Sequence, residues 1–160
     1  METALEPAPN QPLEKVTPLD VLEAEMSKHP QLHCPVVHRF TPGLYIREIF
    51  MPAGSLITSA LHKTCHPFVI SKGDVSVYEE GREVGRYQAP YTGVTQPGTR
   101  RLLYMHEDTI WTTFHPTDKT DPDEIVREIT ETEINPLLPK NFIQGWRQKP
   151  DQPLIQEVTP

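Results

Sequence analysis

The sequence predicts an all-β domain with a short helix on either side and an extended arm at each end. Residues 36–117 consist of short alternating or β-branched runs, separated by turn residues about every ten positions, which is typical of a sandwich or a closed barrel. Nine of the 18 prolines lie in residues 1–18 and 136–160. Because proline interrupts helices and sheet ladders, these ends are expected to be extended arms.

A chain of 160 residues has room for one domain. Thr17 followed by Pro18 predicts a helix start, and the acids that follow Asp121 predict another. The expected organisation is an N-terminal arm (1–17), a short helix and linker (18–35), a β-barrel (36–117), an acidic helix (118–134) and a C-terminal arm (135–160).

Within the predicted barrel, turns that contain glycine or proline separate the strands. The turns include 42–43, 52–54, 72–74 and 96–98, and the predicted strands are 44–50, 55–61, 66–71, 75–78, 84–91, 101–105 and 109–114. This number of short strands favours a closed or two-sheet architecture over an open sheet.

The charge distribution excludes several classes of partner. The net charge is −7, and residues 117–134 hold seven acids against two bases. An acidic chain without a basic stripe argues against nucleic acid as a partner. No apolar run approaches the roughly 18 residues of a membrane span, and the N-terminus lacks the pattern of a signal peptide. We therefore expect no membrane partner, and reduced thiols at Cys34 and Cys65.

His62 and His66 flank a short polar turn that contains Cys65. If segments 55–61 and 68–71 form a hairpin, the two imidazoles face each other with Cβ atoms about 4.5–5.5 Å apart. Two imidazoles at this distance can share a divalent metal ion. Alternatively, both histidines only flank the turn and form local hydrogen bonds.

Two segments of the predicted barrel resemble the motifs of the cupin superfamily. Residues 52–75 are similar to the first cupin motif and residues 96–101 to the second. With Gly73 as the anchor of the register, His62 falls at the second histidine ligand of the family and His66 at its glutamate ligand, while Ala60 and Arg101 replace the other two histidines. The resemblance covers about half of the chain and implies a cupin-like jelly-roll barrel.

The family's metal site uses three histidines and one glutamate, so the resemblance implies at most a degraded site in this chain. A divalent metal would be held by His62 and His66, with His106 or Cys65 as third donor. Arg101 cannot ligate a cation, but together with the two histidines it would suit a carboxylate or phosphate. Alternatively, the site is vestigial and its polar side chains bond to one another.

Residues 52–59, 66–73, 97–101 and 106–117 also resemble small cupin-like proteins of tailed bacteriophages. With the two arms, this resemblance implies a virion structural or assembly protein without a resident cofactor or catalytic residue. We expect a homo-oligomer that contacts other virion proteins, in the virion or the host cytoplasm. Phe142 and Trp146 are the expected partner-binding residues, since burying two aromatic side chains contributes on the order of several kcal/mol.

Two alternatives to the virion role follow from the same resemblance. The first is a metal-dependent cupin enzyme of the dioxygenase or isomerase type, which requires His62, His66 and a third donor. The second is a non-catalytic cupin that binds a small molecule, with Arg101 as the anchor for an anionic group.

Overall fold

The computed structural model describes residues 15–80, 85–131 and 134–139. These residues form two helices, α1 (Pro18–Met26) and α2 (Pro122–Ile129), and eleven strands. The strands are β1 (Val36–Thr41), β2 (Leu44–Met51), β3 (Leu56–Thr58), β4 (Leu61–His62), β5 (His66–Lys72), β6 (Asp74–Glu79), β7 (Gly85–Gln88), β8 (Tyr91–Thr95), β9 (Arg101–Met105), β10 (Thr109–Pro116) and β11 (Thr130–Glu131).

The strands form two large antiparallel sheets that enclose the core. One sheet has the order β1-β2-β10-β5-β8 and the other β3-β9-β6-β7, while β11 and β4 form a short separate pair. From β2 to β10 the chain passes back and forth between the two large sheets, as in a jelly roll. The predicted all-β jelly-roll barrel with flanking helices is therefore confirmed. Phe142 and Trp146, with most of both predicted arms, lie outside the described residues.

Both helices start where the sequence predicts. The Thr17 hydroxyl accepts a hydrogen bond from the backbone N–H of Asp20 at 3.2 Å, and the Asp20 carboxylate accepts one from the backbone N–H of Thr17 at 2.9 Å, which is a capping box. Asp121 caps α2 by accepting from the backbone N–H of Asp123 at 3.0 Å. The second helix is shorter than predicted, because the backbone turns extended at Thr130 and enters β11.

The expected hairpin around Cys65 is wrong. Segment 55–61 is divided into β3, which pairs with β9, and β4, which pairs with β11. β5 instead lies between β10 and β8. The turn at residues 63–65 therefore connects the short β4–β11 pair to the five-stranded sheet, and it does not reverse the chain within one sheet. The predicted strand 84–91 is likewise interrupted, because Pro90 at the corner between β7 and β8 cannot donate to a ladder.

The inner face of the five-stranded sheet changes from polar to apolar along its strands. Side chains two residues apart share a face, so the strand register defines rows across the sheet. The first row contains Phe40, Tyr45, His115, His66 and Thr95; the second His38, Arg47, Thr113, Phe68 and Gly93; the third Val36, Ile49, Trp111, Ile70 and Tyr91. The third row joins the apolar core, whereas the first two rows carry most of the polar side chains.

A buried ion-pair network fastens α1 to the barrel. The Arg100 guanidinium, only 3% exposed, lies 2.7 Å from an Asp20 carboxylate oxygen and 3.2 Å from a Glu23 carboxylate oxygen. Asn135 Nδ2 donates to the Asp20 carbonyl at 3.0 Å and to the Glu23 carboxylate at 3.3 Å. The network thus also ties segment 134–139 to α1. Neither helix has the length and apolar character that a membrane crossing needs, so the described residues contain no candidate spanning helix.

Candidate ligand-binding site

Six side chains from different strands meet at one end of the barrel interior, and we call this group the polar half. It contains Tyr45, Arg47, His62, His66, Arg101 and His115. The β10–β2 register places His115 opposite Tyr45 and Thr113 opposite Arg47. His66 lies at the start of β5, in the same row as His115, and His62 ends β4 on the other side of the turn.

The polar half contains three histidines, His62, His66 and His115, which are called the site histidines below. The ring of His66 lies next to the rings of the other two. The ring centroids of His62 and His66 are 5.1 Å apart, and those of His66 and His115 are 4.4 Å apart. His62 Nδ1, His66 Nε2 and His115 Nδ1 are buried and have no hydrogen-bond partner among the described residues. Buried polar atoms are nearly always paired in native proteins, so these three nitrogens indicate a place where another molecule completes the bonding.

The protonation of His66 follows from its local hydrogen bond. Its Nδ1 lies 3.2 Å from the Thr64 carbonyl oxygen, and a carbonyl can only accept. In the neutral ring Nδ1 therefore carries the proton, and the unpartnered Nε2 presents a lone pair to the interior. His66 can thus accept a hydrogen bond from a bound molecule.

All three site histidines are held neutral near physiological pH. Burial lowers the pKa of His62 to about 3, with further lowering by His66, Arg101, His115 and Arg47. Burial also lowers the pKa of His115 to about 3, aided by His66 and Arg47. For His66, burial is again the largest cause of a lowered pKa, and Arg101 adds to it. The positive charges of Arg47 and Arg101 thus add to the effect of burial, because they disfavour protonation of the site histidines.

Arg101 approaches the polar half from the four-stranded sheet and is 5% exposed. Its Nε lies 3.0 Å from a Glu79 carboxylate oxygen, and one terminal nitrogen donates to the Thr95 hydroxyl at 3.0 Å. The guanidinium carbon lies 5.3 Å from the centre of the Phe68 ring and 5.7 Å from the Trp111 ring, within the range of cation–π attraction. Arg101 thus forms the boundary between the polar half and the apolar core.

Tyr45 lies in the polar half on the five-stranded sheet, between Phe40 of β1 and His115 of β10. Its ring stacks on Phe40 with centroids 5.1 Å apart and faces His115 at 5.8 Å. Its hydroxyl shares a hydrogen bond with His38 Nδ1. Burial raises the pKa of Tyr45 to about 12, with Arg47 lowering it and Asp123 raising it, so the hydroxyl keeps its proton.

The structure brings together only part of the predicted site. His62, His66 and Arg101 lie in the polar half as expected, although His62 and His66 are not ladder partners. His106 lies on the outside of the four-stranded sheet, where its Nε2 is 2.7 Å from the Ser76 hydroxyl, and Cys65 is exposed in the turn. Neither is placed to act as a third donor with the histidine pair.

Sequence reasoning missed Tyr45, Arg47 and His115 as members of the site. Each lies on a strand in which inward-facing and outward-facing residues alternate, so the sequence pattern could have predicted that its side chain faces inward. The sequence could not predict that β2 and β10 are neighbours, because more than fifty residues of chain separate them.

The residues present were tested for their fit to a divalent metal, which the cupin resemblance implies. Neutral imidazoles with free lone pairs are suitable donors. However, the described part of the chain contains no group of three or more His, Cys, Asp or Glu side chains arranged to hold a metal ion. The positive charges of Arg47 and Arg101, which already lower the site histidine pKa values, would also oppose a cation. The donor set therefore does not fit a resident metal.

Comparisons with known proteins concern the fold. No protein-family model matches the chain, and no curated protein matches it. Among solved structures, a double-stranded β-helix protein from Klebsiella pneumoniae is 13% identical, with a TM-score of 0.47, 61% of this chain and 90% of that chain covered. A cupin-2 domain protein from Shewanella frigidimarina is 12% identical, with a TM-score of 0.44 and coverages of 60% and 92%.

Ectoine synthase from P. lautus is a third similar structure, 13% identical with a TM-score of 0.45 and coverages of 54% and 62%. All three similarities have TM-scores below 0.5 and concern the fold alone. The resemblance to phage proteins has no counterpart among them.

Proposed function

We propose that the protein binds a small anionic molecule that also carries a hydroxyl, such as a phosphate ester or a hydroxy acid, in the polar half. The observation that carries this proposal is the group of three buried, unpartnered imidazole nitrogens in the same half of the barrel as the guanidinium groups of Arg47 and Arg101. Guanidinium groups favour a carboxylate or phosphate. The lone pair of His66 Nε2 favours a ligand that can donate an O–H.

Inorganic phosphate and glycolate combine a negative charge with a hydroxyl, whereas acetate carries the charge alone. The full chain, treated with a chelator and dialysed, would be titrated with each anion while its melting temperature and heat of binding are measured. Phosphate and glycolate should raise the melting temperature in a saturable way. Acetate should bind at least about tenfold more weakly, because it leaves the His66 nitrogen without a donor.

Two variants distinguish binding in the polar half from binding elsewhere on the protein. His66→Phe, which removes the acceptor nitrogen, should weaken phosphate and glycolate binding at least about tenfold and so reduce the melting shift. His106→Phe, on the outside of the four-stranded sheet, should leave the shift unchanged. An identical shift in both variants would overturn the proposal. So would the absence of saturable binding by any of the anions.

A second titration of the same protein tests the alternative that His62 and His66 hold a divalent metal. Chelated protein would be offered Zn²⁺, Mn²⁺ and Fe²⁺, and the bound metal would be measured. The metal-dependent alternative would replace our proposal if two results were found together: the protein binds a stoichiometric amount of metal that His62→Gln loses, and it binds none of the anions. The expected virion role and its partners stay predictions, because the residues assigned to them lie outside the described residues.

A further inference from the structure

The unpartnered nitrogens of the site histidines are completely buried. His66 and His115 are only 1% and 3% exposed as whole residues. A ligand can therefore reach these atoms only when some element of the barrel end moves aside. The element that moves should be the one whose displacement breaks the fewest buried contacts.

Residues Pro122–Glu131, which comprise α2 and β11 and are called the strap below, lie at the polar half. At the C-terminal end of the strap, Thr130 pairs with His62, and the backbone N–H of Lys63 donates to the Ile129 carbonyl at 2.8 Å. At its N-terminal end, the strap follows β10 after five residues, and β10 ends beside the start of β2, where His115 lies opposite Tyr45. The strap therefore extends from the Tyr45 side of the polar half to the His62 side.

At its C-terminal end, the strap is held to the barrel by few contacts, which include a hydrogen bond from Lys63 Nζ to the Arg127 carbonyl at 3.2 Å. Ile125, at 1% exposure, is the one side chain of residues 122–131 that is fully buried. The ladder between β11 and β4 contains two residue pairs, whereas β10 pairs with β2 over eight. The ion pairs of Lys119 with Glu124 and Glu128 are solvent-exposed and contribute little stability.

We propose that the strap is a gate over the polar half, which opens by separating β11 from β4 and closes again over the bound molecule. Opening breaks the pairing of His62 with Thr130 and so frees one wall of the site together with the route to it. The identity of the admitted molecule rests on the function proposed above. The movement itself can be tested without any ligand.

A disulfide across the gate provides the test. Leu61 and Glu131 are directly opposed ladder partners, and the Cα separation of such partners, about 4.5–5.5 Å, lies within the range of disulfides. The variant L61C/E131C would be made in the full chain with Cys65→Ser, which removes the exposed native thiol. Oxidation should lock the gate, and reduction followed by removal of the reductant should release it.

Access to the site would be measured with diethyl pyrocarbonate, which modifies neutral imidazoles. Peptide mass spectrometry would give a modification rate for each histidine. In the oxidised variant His66 and His115, which are almost fully buried, should react at least about tenfold more slowly than in the reduced variant. The exposed His106 should react equally fast in both.

A matched disulfide controls for general stabilisation. Leu56 and Tyr104 are directly opposed, exposed partners on β3 and β9, and L56C/Y104C should leave the rates at the site histidines unchanged. In a third variant, Ile125→Ala should loosen the strap and speed modification of the site histidines several-fold without changing His106. This variant tests the gate even if the locking disulfide fails to form.

Equal rates at the site histidines in the oxidised and reduced L61C/E131C protein would overturn the proposal. Equal slowing by both disulfides would also overturn it, because the site would then open by global unfolding. Phosphate binding separates this result from the proposed function. If the disulfide slows modification but phosphate does not bind at all, the gate is supported and the proposed function is contradicted. If phosphate associates at the same rate with the locked and the released protein, the gate is contradicted and the proposed function is supported.

Discussion

Arg100 and Arg101 are neighbours in the chain, yet their guanidinium groups form ion pairs on opposite sides of the four-stranded sheet. Arg100 pairs with Asp20 and Glu23 of α1. Arg101 pairs with Glu79 and lies over Phe68 in the barrel interior. One residue therefore holds the flanking segments to the barrel, and the next one lies in the polar half of its interior.

Replacement of Arg100 should destabilise the protein strongly. Arg100→Met leaves the carboxylates of Asp20 and Glu23 buried without their cation, and removal of one partner from a buried pair costs about 3–5 kcal/mol. Urea unfolding would measure the loss. The matched control is Lys28→Met, which breaks the solvent-exposed pair with Glu25 and should cost about 0–1 kcal/mol. Similar losses in the two variants would contradict this account of the network.

Stability should fall as the pH is lowered from about 6.5 towards 3. His62 and His115 have pKa values of about 3 in the folded protein against an ordinary value of 6.5. Between these pH values the unfolded chain binds protons that the folded protein does not, so acid favours unfolding. Each histidine adds a slope of about 1.4 kcal/mol per pH unit within this window.

Unfolding free energies measured at pH 7, 6, 5 and 4 would test this dependence. Carboxylates also titrate in the lower part of this range, so the informative quantity is a difference between variants. The double variant His62→Gln, His115→Gln should show a flatter dependence between pH 6.5 and 4.5 than the parent. Parallel curves for the two proteins would show that these histidines are not buried as neutral groups.

Gly73 should be far less replaceable than Gly54. Both have positive φ, at +119° and +79°, but a Cβ on Gly73 would lie 2.8 Å from the Cα of Thr109, whereas one on Gly54 meets nothing within 4 Å. Gly73→Ala should therefore cost on the order of 3 kcal/mol or more, and Gly54→Ala about 1 kcal/mol from backbone strain alone. Thermal unfolding of the two variants would measure this difference, and equal losses would refute the steric argument.

The expected contribution of the C-terminal arm to oligomerisation can be tested by deletion. Removal of residues 140–160 eliminates Phe142 and Trp146, and the loss of two buried aromatic anchors should weaken self-association at least about tenfold. Sedimentation equilibrium over a range of concentrations would measure the change. The full chain with Phe142→Ala and Trp146→Ala should reproduce it. If neither change affects the average mass, the arm does not hold copies of the chain together.

Most of the fold was predictable because its signals are local. Thr17 and Asp121 mark helix starts through side-chain caps that bond within three residues. Strand 101–105 was predicted with its observed bounds, because a turn precedes it and apolar residues fill it. The division of segment 55–61 was not predictable in this way. It depends on β3 and β4 joining different neighbours, which is a property of the tertiary structure.

The site was predictable only where chain neighbours form it. His62 and His66 are four residues apart, so their proximity was a reasonable expectation, and their rings are indeed in contact. His115 joins them because β10 lies beside β5. Arg101 was expected to face a ligand, but its ion pair with Glu79 depends on the β6–β9 register, which the sequence does not reveal.

The polar and apolar rows of the five-stranded sheet have an evolutionary consequence. Ile49, Trp111 and Ile70 supply the hydrophobic burial that folds this sheet, while the proposed ligand site uses residues two and four positions away on the same strands. Replacements at Tyr45 or His115 therefore leave the third row untouched. Descendants of this barrel can acquire new ligand preferences through a few changes at one end, while the folded scaffold is inherited intact.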